Sequence, residues 1–290
     1  MASQTLRVSK AICRQVPCSL ENGITSKGHA SIAFHKAVEQ HQMYVDALTK
    51  AIGRGEESIF ICDADENHPD CVFVEDTAVI TGPTSAVSTT IGALSRRGEE
   101  PVVKAAMLEC GINDIIEMKD FADATLDGGD VLFTGRHVFV GLSSRTNKAG
   151  VDVLRRSFPL DIPVFAIPVI DNLHLKCAVT AVNDRHLIVA GTNEGRSILR
   201  QIFNMFDSDH GYTPFFVENA AAANVVRCNS TLIVPEGVSA ESSRVYETVV
   251  KLSQQELGFQ NPISDIVSVN NSEFTKLDGS LTCRSVLLWA

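Results

Sequence analysis

Residues 128–169 read GGDVLFTGRHVFVGLSSRTNKAGVDVLRRSFPLDIPVFAIPV, and periodicity alone divides them. GGDVLFTG and HVFVGLS are short apolar runs joined by a Gly-containing turn, which predicts a hairpin. KAGVDVLRRSF carries its apolar residues at helical spacing, and IPVFAIPV is a returning apolar strand. The unit is therefore strand, turn, strand, helix, strand.

The same unit recurs on both sides. Upstream, CVFVEDTAVIT (71–81) alternates apolar and polar residues. A helix is expected from VSTTIGALSRRG (87–98) to MLECG (107–111), with IIEM (115–118) as the returning strand. Downstream, LHLKCAVTAV (173–182) turns at Asn183-Asp184 into HLIVAG (186–191), then a helix at RSILRQIFNMF (196–206) and a strand at TPFFVE (213–218). A fourth copy runs ANVVRCN (223–229), TLIVPEG (231–237), a helix RVYETVVKLSQQELG (244–258) with Gly258 as C-cap, and ISDIVSV (263–269). The fifth is split between the chain ends. LTCRSVLLW (281–289) supplies one strand, and RVSKAIC (7–13), the helix at 35–53 and ESIFICD (57–63) supply the rest.

Five units of roughly 50 residues, the last closed by both termini, describe a ring, because radial stacking buries every inner face and protects the sheet edges. The alternative compatible with the periodicity is an open mixed α/β sheet without symmetry. No Pro/Gly/Ser-rich linker divides the chain, so residues 1–290 are expected to form one domain.

Composition narrows the function. Across 290 residues, 44% hydrophobic content fits a globular protein with a sizeable core. A formal charge of −10 argues against nucleic acid or an anionic membrane as partner and is compatible with cationic small molecules. Eight scattered cysteines contain no C-x-x-C pair and no zinc-ligand spacing, so reduced thiols are expected. The segment MASQTLRVSK has no apolar core of a signal peptide, and Ala2 stands where myristoylation requires Gly. A cytoplasmic location is expected, which makes the sequons at Asn229 and Asn270 accidental.

In a ring, equivalent loops meet at one end of the axis, and chemistry-bearing residues recur near the start of each unit's β segment. These are Asp70 to Asp76 in the first, Asp127 and Asp130 in the second, His174 in the third and Cys283 in the fifth. Two glycines between Asp127 and Asp130 let the backbone turn tightly and approach a ligand. A thiol needs a base or cationic neighbour to become a nucleophile, and an acid for its leaving group, which His174 and the carboxylates could supply. Each residue also has a bland reading: a solvated turn, a core histidine, an inert buried thiol.

Taken together, CVFVED (71–76, preceded by Asp70), TLDGGDVLFTG (125–135), GLSSRTN (141–147), LHLK (173–176) and DGSLTCRSVLL (278–288) resemble the dimethylarginine dimethylaminohydrolase family. This family sits within the guanidino-group-modifying superfamily. The resemblance spans nearly the whole chain. It implies the pentein fold, a five-bladed α/β propeller of ββαβ-type repeats around a pseudo-five-fold axis. It also implies hydrolysis of Nω-methylated arginine to citrulline and a methylamine, without a cofactor, which indirectly relieves inhibition of nitric oxide synthase. No dedicated metal cage is expected.

By the same resemblance Cys283 is the nucleophile, His174 the general acid and then base, and Asp127 their partner carboxylate. Arg96 and Arg145 resemble the family's substrate-binding arginines, Asp70 accepts a guanidinium, and Glu75 and Asp76 lie near the substrate's other groups. Leu277 corresponds to a residue contributing a backbone contact. Ile24 matches a lid residue once a gap is placed upstream, within the polar stretch ENGITSKGHAS (21–31). Where relatives carry a second cysteine after the nucleophile, this chain has Arg284.

The competing readings are an arginine deiminase acting on free arginine and a non-catalytic binding protein that kept the fold. A monomer or weak homo-oligomer is expected. His29, His35 and His41 recur every six residues. That spacing disperses the rings around a helix, so they are expected at the surface rather than on a metal.

Overall fold

The chain was described from a computed structural model, covering residues 7–26, 28, 31–206, 211–255 and 262–290. In chain order the elements are β1 (Val8–Arg14), α1 (Phe34–Ile52), β2 (Ile59–Cys62), β3 (Ala78–Ile80), β4 (Ser85–Ser88), α2 (Glu100–Glu109) and β5 (Asp114–Glu117). Then come β6 (Val131–Phe133), β7 (Val138–Leu142), α3 (Lys148–Ser157), β8 (Val164–Pro168), β9 (Val179–Ala181), β10 (His186–Ala190), α4 (Asn193–Asn204) and β11 (Thr213–Val217). The last are α5 (Ala220–Ala223), β12 (Val226–Cys228), β13 (Thr231–Pro235), α6 (Ala240–Gln255), β14 (Asp265–Val269), α7 (Ser272–Thr275) and β15 (Val286–Trp289).

These strands form five three-stranded sheets built to one plan. A central strand pairs antiparallel with the strand before it and parallel with the strand after the helix. This holds for β4 between β3 and β5, β7 between β6 and β8, β10 between β9 and β11, and β13 between β12 and β14. In the fifth sheet β1 lies between β15 and β2, so both ends of the chain complete one blade. The parallel pairs need a crossover, which each blade's helix supplies.

The ring closes through its cores. Five apolar clusters each lie between consecutive blades. α3 packs between the first and second, α4 between the second and third, and α6 between the third and fourth. α1 lies between the fourth and fifth, and α2 between the fifth and first. Each of these five helices thus fills the wedge toward the preceding blade, and the architecture is a five-bladed α/β propeller. Asn229, in a left-handed turn with φ of 53°, bolts the seam. Its side chain accepts from Val8 N–H and donates to the carbonyls of Val8 and Ala51, a structural role for one of the two sequons.

Local chemistry explains most boundaries. Asn147 and Thr192 cap α3 and α4 by accepting from Gly150 and Gly195 N–H. Asn183 Oδ1 accepts from the N–H groups of Arg185 and His186, making the tight turn between β9 and β10 that the sequence predicts. α6 begins at Ala240, before the expected Arg244, and Gly258 lies outside the described residues.

The first unit departs from expectation. Residues 71–77 are not strand: Val74–Thr77 form a one-turn 3-10 helix, and the alternation reflects an irregular segment buried on both sides. The expected helix from residue 87 is instead β4, then a one-turn 3-10 helix at Leu94–Arg96, with α2 starting at Glu100 behind Pro101 at its first turn. The histidine reading also needs correction. His35 is exposed, but His41 is buried against Phe274, where burial and the nearby Arg284 push its imidazole down to about 3. His29 lies outside the described residues.

Candidate active site

Each blade's first strand is preceded by a short helical turn: Val74–Thr77, Gly128–Asp130, Leu175–Cys177, α5 and Thr282–Arg284. Because all five lead into equivalent strands, they converge at one end of the axis. Glu75 and Asp76 sit on the first, Asp127 and Asp130 frame the second, His174 precedes the third, Asn224 follows the fourth, and Cys283 lies in the fifth.

The buried centre is an alternating lattice of charge. Asp127 Oδ1 accepts from Gly92 N–H at 2.8 Å, and its Oδ2 lies 3.0 Å from His174 Nε2. Asp76 Oδ1 accepts from Gly129 N–H at 2.9 Å, and its Oδ2 receives Arg96 Nη1 at 2.7 Å. The two glycines are needed for close approach. A Cβ on Gly128 would land on the carbonyl oxygen of Glu75, and one on Gly129 would stand 2.5 Å from His174 Nδ1.

Burial alone would lower the His174 imidazole, but Asp76, the bond to Asp127 and the nearby Asp130 outweigh it and lift it to about 9. Burial would raise Asp76, yet His174 and Arg96 hold it down to about 2. The site therefore rests with an imidazolium, a proton donor. The Cys283 thiol is pushed far up, first by burial and then by Glu75 and Asp76, although Ser280 N–H points at its Sγ from 3.4 Å. At rest it is a neutral thiol.

Asp130, noted in the sequence beside Asp127, is a structural brace. Its Oδ2 accepts from Ser143 Oγ at 2.6 Å and Thr146 Oγ1 at 2.7 Å, and its Oδ1 from Leu175 N–H at 2.9 Å. It thereby fixes the backbone immediately after His174. Asp76, Asp127 and His174 also present donor atoms within 4.8 Å of one another, close enough to receive a cation. A divalent ion there would have to displace Arg96 and the imidazolium proton.

Around this centre the structure places the other sequence-selected residues. Both oxygens of Asp70 accept from Ile24 N–H at 3.1 Å, bringing Ile24 to the rim. Thr25 Oγ1 and Ser26 N–H bond to Lys276 O and Asp278 Oδ2, tying this segment to the loop that contains buried Leu277. Arg145 is half-buried. Its guanidinium makes no hydrogen bond or ion pair among the described residues, and its charge is felt at Asp70.

Arg96 differs: it is buried and its donors are engaged by Asp76, both oxygens of Glu99 and the Phe73 carbonyl. Glu75 accepts from Lys176 Nζ at 2.6 Å and Thr282 Oγ1 at 2.8 Å, a bridge across three blades beside Cys283. Asn224 joins the same network by accepting from Thr282 N–H and donating to Lys176 O.

The sequence reading missed Lys176, Thr282, Asn224 and Glu99 as members of this network. A signal existed for two of them. Lys176 shares the LHLK motif with His174, and Glu99 stands at i+3 from Arg96, the ion-pair spacing of a helical turn.

A five-bladed propeller with a thiol, an imidazolium and buried carboxylates at its axis defines a pentein-type amidine-modifying enzyme. Residues 19–194 match the family model for N,N dimethylarginine dimethylhydrolase, eukaryotic. The chain is 36% identical over 283 residues to the N(G),N(G)-dimethylarginine dimethylaminohydrolase of Streptomyces coelicolor, covering 96% of each chain. It is 28% identical to the protein of that name in Pseudomonas aeruginosa, over 95% of this chain and 97% of the other. Among solved structures, a cysteine-to-serine mutant of the Pseudomonas aeruginosa protein complexed with citrulline superposes with a TM-score of 0.78 at 25% identity, covering 97% of this chain and 99% of that one. The chain belongs to the dimethylarginine dimethylaminohydrolase family.

Proposed function

We propose that this protein hydrolyses Nω-methylated arginine to citrulline and dimethylamine or methylamine, through a covalent intermediate on Cys283. The observation that carries this reading is the resting imidazolium of His174, held by Asp127 and Asp76 at the same axial end as a neutral, half-buried thiol.

A substrate guanidinium brings a positive charge into a pocket whose acidic groups, Asp70 and Asp127, are the residue types that accept its planar fork of N–H donors. That charge lowers the thiol pKa, so binding releases the thiol proton and leaves the thiolate facing the guanidinium carbon. Sγ forms a bond to that carbon. As the tetrahedral adduct collapses, the C–N bond to the methylated nitrogen breaks, and the His174 imidazolium donates its proton to the departing amine. His174, now neutral, takes a proton from water as the oxygen attacks the thiouronium carbon. Cleavage of the C–S bond gives citrulline and returns Cys283.

In this reading Arg145 receives the substrate α-carboxylate, while Arg96 acts by holding Asp76. Asp76 and Glu75 fix the floor, and Leu277 lends its backbone at the rim. Ile24 acts through its backbone contact with Asp70, as part of a cover over the pocket. The chain acts as one catalytic domain, as a monomer or weak homo-oligomer, in the cytoplasm. Among the described residues no helix is long and apolar enough to cross a membrane.

Citrulline release from asymmetric dimethylarginine, monomethylarginine and arginine, compared at equal concentration, tests the reading. Turnover of the methylated substrates well above arginine supports it. Equal or faster turnover of arginine makes the protein a deiminase instead.

A further inference from the structure

Four of the five axial turns carry or border residues of the proposed reaction: Glu75 and Asp76 in the first blade, Asp127 in the second, His174 in the third and Cys283 in the fifth. The fourth blade's contribution is Asn224, which closes α5 and is 2% exposed. Its Oδ1 accepts from Thr282 N–H at 2.9 Å, and its Nδ2 donates to Lys176 O and Thr282 Oγ1, each at 3.1 Å. The amide can face only this way, because a backbone N–H cannot accept and a carbonyl cannot donate. Asn224 thus grips the residue before Cys283 and the turn that follows His174.

The Cys283 turn is loosely closed by its own backbone. Arg284 N–H to Leu281 O and Ser285 N–H to Thr282 O are both long at 3.4 Å, as is Ser280 N–H to Cys283 Sγ. The bond from Thr282 N–H to Asn224 is much shorter. Asn224 in turn stands on a fixed base. The carbonyls ahead of it, Ala222 and Ala223, accept at 2.6 Å from the buried hydroxyls of Tyr246 in α6 and Thr180 in β9. Reacting groups held from fixed elements keep their geometry, and a displacement near 1 Å costs on the order of 100-fold in rate.

We propose that Asn224 is a positioning residue, which sets the Cys283 thiol against the His174 imidazole by clamping the fifth-blade turn to the third-blade turn. It acts through Thr282 and Lys176. The proposal rests on the roles given above to Cys283 and His174.

Two measurements on the full-length Asn224→Ala protein test it. Hydrogen exchange read by mass spectrometry reports on the turn itself: Thr282 N–H should exchange about tenfold faster or more than in wild type. With asymmetric dimethylarginine, kcat should fall at least about tenfold while KM stays within about twofold. A residue that merely stabilised the fold would lower the melting temperature and leave kcat of the folded protein unchanged, and that result overturns the proposal. So does unchanged exchange at Thr282, or a rise in KM that accounts for the whole loss. A wild-type protein that releases no citrulline contradicts the assigned reaction rather than the clamp, on which exchange at Thr282 still decides. Should Asn224→Ala fail to fold, Asn224→Ser, whose short hydroxyl cannot span both turns, is held to the same criteria.

Discussion

His174 Nε2 lies 3.0 Å from Asp127 Oδ2, with Asp76 the strongest charge holding the same ring positive. In the proposed mechanism the acid form expels the amine, so kcat should fall as pH rises through about 9. Asp76→Asn removes the largest stabilising charge, so its descending limb should move to lower pH. A pH–rate profile of both proteins checks this, and coincident limbs would assign the limb to another group.

The same group links pH to stability. Its imidazole rises from 6.5 to about 9 on folding, so its contribution is fully present below about 6.5 and is lost as pH rises through 9. The shift corresponds to on the order of 3 kcal/mol. Urea denaturation of wild type and His174→Gln should show a stability gap at pH 6 that narrows by pH 10.

The two arginines should separate cleanly. Arg145→Ala removes a cation that the fold does not use, so KM should rise at least about tenfold with the melting temperature nearly unchanged. Arg96→Ala leaves Asp76 and Glu99 buried without their counter-ion and should cost about 3–5 kcal/mol. Thermal melts and steady-state kinetics of the pair distinguish the roles.

Much of the fold is legible in the sequence. The ββαβ unit, its fivefold recurrence and the terminal closure follow from apolar spacing, because each blade has one inner face and one helix. The approach of His174 to Asp127, and of Cys283 to Glu75 and Asp76, follows from equivalent positions in the repeat. What sequence could not give was pairing within the buried centre. Arg96 resembles a substrate-binding arginine in sequence, and only the fold shows Asp76, twenty residues away, holding its guanidinium. Residues 71–77 alternate like a strand because they are packed on both sides while turning. His41 is buried because Arg284, the residue after Cys283, lies under the same helix, between the rings of Tyr44 and Phe274 at 4.4 Å from each.

Asp130 should behave as a brace rather than a reactant. Asp130→Ala strands Ser143, Thr146 and the Leu175 N–H, and should destabilise the protein by about 2–4 kcal/mol. Chemical denaturation measures it, and a change under about 0.5 kcal/mol would contradict the role.

Arg284 fills its cage by shape as much as by charge. Arg284→Met should retain most of the stability, while Arg284→Ala opens a cavity between two rings and should cost about 3 kcal/mol. Equal urea midpoints for the two variants would show that the charge, not the packing, matters there.

The most direct test of the central claim is acid quenching during turnover of dimethylarginine, followed by peptide mass spectrometry. The account predicts a thiouronium adduct on the peptide bearing Cys283 and none on Cys18 or Cys177. An adduct on either of those cysteines, with Cys283 unmodified, would contradict it.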